Sequence, residues 1–96
     1  MGETALDSNI VNPDLGEDLK ISVLVQTAGV PVTIKIYNLS GEYLRKIEFV
    51  SYAAGWNETW WDVRNEAGKT VGKGIYFIHI NAGGKKEIKR VFVNKK

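Results

Sequence analysis

An all-β fold, a seven-stranded antiparallel β-sandwich, is what this sequence predicts, and three observations carry the prediction. Apolar and polar residues alternate with a period of two in segment after segment. Turn-forming glycine, proline and asparagine separate those segments about every ten positions. No stretch sustains the periodicity of a helix.

The elements follow in chain order. Residues 1–9 read as a flexible polar leader or boundary segment, and one domain fills 10–96. A short strand around Ile10-Val11-Asn12 is ended by Pro13. From Lys20 to Thr27, Ile21, Val23 and Val25 share one face. Ala28-Gly29 turns the chain, and Pro31 stands where a strand's first residue can lack a donor. Val32, Ile34 and Ile36 then point inward, with Thr33, Lys35 and Tyr37 outward. Asn38-Leu39-Ser40-Gly41 is a turn, and Tyr43 to Phe49 is the next strand. Its Leu44 and Ile47 are out of phase, which predicts a bulge. After Gly55 comes a tryptophan-rich strand, then a polar loop from Arg64 to Gly74. Tyr76, Ile78 and Ile80 share a face of the strand from Ile75 to Ala82. Gly83-Gly84 makes a hairpin into a last strand, about Lys86 to Asn94, whose charged first half suits a solvated edge.

Composition narrows the function. The chain has 96 residues and no cysteine, so disulfides, thiolate metal sites and thiol catalysis are excluded. Thirteen basic against eleven acidic residues give a formal charge of +2, too little to argue for nucleic acid. His79 is the sole histidine, and no serine has the context of a catalytic triad. No apolar run is long enough to span a membrane. No enzyme and no cofactor are implied.

Four short motifs occur in order: Asn12-Pro13; Ile36-Tyr37-Asn38-Leu39-Ser40-Gly41; Gly55 and Asn57 with Trp61-Asp62; and Gly68, Val71, Gly74, Ile75 and Tyr76. In this order the chain resembles the Ig-like domain of the flagellar hook-capping (FlgD-type) family, from about Asn12 to Lys96. It is similar as well to the C-terminal type A sorting domains of the type IX secretion system. Val63 stands where the family commonly has glycine, and Trp56 and Trp60 where it is not usually aromatic. The resemblance implies an Ig-like, fibronectin type III-like sandwich. It further implies a non-catalytic C-terminal module of a larger exported bacterial protein, serving structural presentation, surface attachment or secretion sorting. Its partners would be other domains of the parent or the secretion and cell-surface machinery, with no nucleic acid and no membrane insertion. In isolation it would be a monomer. A flagellar hook-cap scaffold is an alternative.

All three tryptophans lie within Trp56–Trp61. Strand alternation sends Trp56, Glu58 and Trp60 to one face and Asn57, Thr59 and Trp61 to the other. Trp61, with Tyr76, reads as structural core. Trp56 and Trp60, about 13 Å apart along the strand, read either as a carbohydrate-binding platform flanking Glu58 or as a packing surface over a neighbour such as Leu24 or an adjacent domain. Tyr37, Phe77 and His79 form a second outward aromatic patch if their strands pair. Asp62, Asn65 and Glu66 could offer oxygens to Ca²⁺, although such loop residues ordinarily cap their own turns, and no metal site is assigned. An internal Lys20–Asn94 isopeptide cross-link is a further, specialised possibility.

Overall fold

The computed structural model describes residues 4–96. Its strands are β1 (Thr4–Leu6), β2 (Ile10–Val11), β3 (Leu19–Val25), β4 (Pro31–Asn38), β5 (Tyr43–Val50), β6 (Gly55–Trp61), β7 (Gly74–Ala82) and β8 (Lys85–Val93). They form a three-stranded sheet, β1-β3-β6, facing a five-stranded sheet, β2-β8-β7-β4-β5. Because β5 joins the sheet of β4 and not that of β6, the sandwich is fibronectin type III-like, as expected. No helix among the described residues is long and apolar enough to cross a membrane.

Two features correct the expected seven antiparallel strands. Thr4–Leu6, inside the segment read as a leader, is an eighth strand paired antiparallel to β3, with Thr4 buried. The β2–β8 pair is parallel, Ile10 opposite Phe92 and Val11 opposite Val93. The cause is a change of sheet. The chain leaves β1 in one sheet, runs beside β8 in the other, and returns through a 3₁₀ turn at Pro13–Leu15 to β3.

The alternation read from the sequence places the core. Leu19, Ile21, Val23 and Val25 of β3 face Val32, Ile34 and Ile36 of β4, Tyr76, Ile78 and Ile80 of β7, and Val91 and Val93 of β8. The expected bulge is in β5: Ile36 pairs with Arg45 and Tyr37 with Tyr43, so Leu44 is the extra residue. At the Asn38–Gly41 turn, the Asn38 side-chain oxygen accepts from the N–H of Ser40 (3.0 Å) and of Glu42 (2.9 Å). Gly41 supplies the left-handed φ of 84° that lets β5 start. Among the described residues, the first half of β8 has no strand on its outer side, since β2 pairs only at Phe92 and Val93. Its lysines keep that edge solvated.

Candidate functional site

Strand β6 is an edge strand with β3 as its neighbour, and it presents the two tryptophan environments the alternation predicts. Trp61 is 0% exposed and Trp56 and Trp60 are 50% and 54% exposed. The Trp61 indole N–H donates to the Arg64 carbonyl at 3.0 Å, and its ring meets Tyr76 edge-on with centroids 5.9 Å apart. Tyr76 donates its hydroxyl to the Gly72 carbonyl at 2.7 Å, and burial raises its pKa above the ordinary phenol value. Both residues are core, with their polar ends satisfied.

On the outer face, Trp56 is opposite Leu24, Glu58 opposite Ser22 and Trp60 opposite Lys20. Lys20 Nζ lies 3.2 Å from the Glu58 carboxylate. The ion pair therefore sits between the two indoles and leaves the stretch without net charge. Neither outer indole N–H has a hydrogen-bond partner among the described residues.

Asn57, on the inward face and 0% exposed, organises the approach to this strand. Its oxygen accepts from the Tyr52 N–H at 2.8 Å, and its amide donates to the carbonyls of Ala53 (2.9 Å) and Gly55 (3.2 Å). Gly55 takes a φ of 98°, a conformation open to glycine. The Tyr52 hydroxyl accepts from the Glu58 N–H at 3.3 Å, occupying part of the free edge of β6.

The second patch also assembles. Tyr37 is opposite Phe77 across β4 and β7, and its ring lies 4.6 Å from His79 and 6.0 Å from Tyr43. Glu66 accepts the Tyr43 hydroxyl at 3.1 Å. Partial desolvation, and then that carboxylate, hold the Tyr43 pKa above its usual value.

Sequence reasoning missed Arg45. It follows the bulge in the core-facing phase of β5, with Ile47 and Phe49, and that phase was the available signal. Its guanidinium donates to Asp62 (2.9 Å) and to the Arg64 carbonyl (3.3 Å), and lies 3.6 Å from Glu66. The Asn65 oxygen accepts from the N–H of Ala67 and of Lys69, both at 3.0 Å. One oxygen each of Asp62, Asn65 and Glu66, the residues weighed for Ca²⁺, thus accepts from a protein donor. The Lys20–Asn94 cross-link is overturned: Lys20 pairs with Glu58 on one sheet, and the Asn94 amide donates to Asn12 (2.8 Å) beside the other.

The sequence profile of the FlgD Ig-like domain matches residues 8–86. No curated protein matches the chain. Among solved structures, latent PorU from Porphyromonas gingivalis superposes with a TM-score of 0.79 at 18% identity, over 97% of this chain and 9% of its own. PorZ, an essential surface component of the type IX secretion system of the same bacterium, gives 0.69 at 20% identity, over 95% of this chain and 11% of its own. FlgD from Xanthomonas campestris, described for the hook capping essential to flagellar assembly, gives 0.62 at 19% identity, over 95% of this chain and 63% of its own. The chain spans about a tenth of the two Porphyromonas proteins, and at these identities the likeness is one of fold.

Proposed function

This chain belongs to the FlgD Ig-like domain family, and on that premise we propose that it is a non-catalytic module of a larger exported bacterial protein, acting in presentation, surface attachment or sorting of its parent. The observation that carries this reading is the outer face of β6: two half-exposed indoles with a neutralised ion pair between them. Tryptophan is enriched at the hot spots of protein interfaces. A charge-neutral face carrying two of them suits packing against a neighbouring domain of the parent or a component of the export machinery.

The test is a signal-peptide-bearing fluorescent reporter ended by this domain, expressed in a bacterium with a type IX system. Surface or medium localisation, lost in Trp56→Ala/Trp60→Ala, supports recognition through this face. Reporter held in the periplasm in both forms overturns the sorting role.

One observation favours a second reading, a carbohydrate-binding accessory module. Neither outer indole N–H has a partner among the described residues, and the rings stand about 13 Å apart on one strand, as stacking platforms for an uncharged glycan. Retention of the wild-type domain on insoluble neutral polysaccharide, abolished in the same double variant, would select it. Equal retention of both would remove it.

A further inference from the structure

The outward face of the five-stranded sheet differs in charge from the tryptophan face. Its register aligns three cross-strand rows over β5, β4, β7 and β8: Tyr43-Tyr37-Phe77-Arg90, Lys46-Lys35-His79-Ile88, and Glu48-Thr33-Asn81-Lys86. Four cations stand in these rows against one carboxylate, Glu48, which lies 3.4 Å from Lys46 and neutralises it. Lys35, Lys86 and Arg90 have no ion pair or hydrogen bond among the described residues. Glu87 is on the core-facing side of β8, opposite buried Ile80, with its carboxylate 3.9 Å from Lys89.

Within the rows lies a groove of about 420 Å³ whose polar lining is Thr33, Lys35, Tyr37, His79, Asn81 and Lys86, with Glu87 also at its wall beside Ile80 and Ile88. Lys35 and Lys86 stand two strands and two residues apart, about 12 Å by strand geometry. Between them are His79, the Thr33 hydroxyl and the Asn81 amide, and the His79 ring lies 4.6 Å from that of Tyr37 on the far side of Lys35. The Asn81 oxygen accepts from the Gly84 N–H at 3.0 Å, which leaves the amide NH₂ to donate elsewhere.

We propose that this groove binds an acidic polysaccharide, a chain of uronic-acid units. The ammonium groups of Lys35 and Lys86 meet successive carboxylates, the rings cover sugar C–H surface, and Thr33 and Asn81 bond hydroxyls. The three unpaired cations are what select a polyanion over a neutral glycan. Single-stranded nucleic acid fits less well, because it stacks bases on successive open ring faces. Here a single ring pair, Tyr37 with His79, lines the groove.

The experiment is affinity electrophoresis of the domain at low salt through gels containing alginate, dextran or poly-L-glutamate. Alginate retards the protein and dextran does not, and retardation fades as salt rises. Lys35→Gln and Lys86→Gln each weaken alginate binding about tenfold. Both side chains are exposed, so circular dichroism of the variants stays native. Trp56→Ala/Trp60→Ala leaves the effect unchanged, which separates this site from the β6 face. Absence of retardation by alginate, or full retardation of the double glutamine variant, overturns the proposal. Equal retardation by poly-L-glutamate overturns the sugar assignment in favour of an acidic polypeptide.

Discussion

Val63 should tolerate glycine as well as it tolerates alanine, which erases the usual advantage of alanine in a buried position. It follows Trp61-Asp62 with a φ of 61°, the sole non-glycine residue at positive φ among those described, and it is 0% exposed. The left-handed conformation costs an L-residue about 1–2 kcal/mol, because Cβ crowds the following carbonyl oxygen. Burial of the side chain offsets that cost at about 0.8 kcal/mol per carbon. The backbone there is held by the Val71 N–H, which donates to the Val63 carbonyl at 3.0 Å, and by the Arg64 N–H, which donates to Asp62 at 3.2 Å. At an ordinary buried strand position, glycine is worse than alanine by about 1.2–1.8 kcal/mol, from one lost carbon and a more mobile unfolded chain. At position 63, removing Cβ returns about 1–2 kcal/mol of strain, so the two variants should differ by well under about 1 kcal/mol. Val91, buried in β8 with no positive φ, is the control. Urea unfolding followed by tryptophan fluorescence, with linear extrapolation, reads both pairs. Should Val63→Gly prove worse than Val63→Ala by the margin found at Val91, the strain argument is wrong.

Three further outcomes are expected. Asn57→Ala removes three hydrogen bonds around Tyr52–Gly55 and should cost about 2–4 kcal/mol, lowering Tm by at least about 8 °C in calorimetry. Tyr76→Phe should cost about 1 kcal/mol at pH 7 through the lost bond to Gly72. Since the folded Tyr76 pKa is raised, its contribution is complete below the unfolded phenol value of about 10 and declines as pH climbs through the folded value. The variant should accordingly show a shallower alkaline loss of stability in pH-dependent melts. Arg45→Met should cost about 0.5–1.5 kcal/mol at low salt, and the difference from wild type should shrink at 1 M NaCl, because its partners Asp62 and Glu66 are solvated.

Strands with a buried face were legible because burial imposes a two-residue period. Ile21-Val23-Val25, Val32-Ile34-Ile36 and Trp61 all face the core as that period dictates. The out-of-phase Leu44 announced its bulge for the same reason. Thr4–Leu6 escaped because three residues cannot display a period, and the parallel β2–β8 pair because pairing direction leaves no mark on two residues. The outward sites were legible by face and not by neighbour. Alternation put Tyr37, Phe77 and His79 outside, whereas the cross-strand register brought Lys35 and Lys86 beside them. Arg45 was hidden by its class, since a charged residue in a core-facing phase reads as solvent-exposed until its acidic partners are placed.

The parallel seam between β2 and β8 bears on when this domain can exist at all. Asn94 bonds to Asn12, and the Lys96 N–H to Asp14 at 2.9 Å, each across 82 positions of chain. Closing a loop of that length costs about 4 kcal/mol before any contact across it forms. Strand β8 also lies between β2 and β7, so the larger sheet has a gap until it arrives. Assembly thus waits for the last strand to leave the ribosome. Until β8 arrives, β2 has no neighbour in its sheet and the seam cannot close.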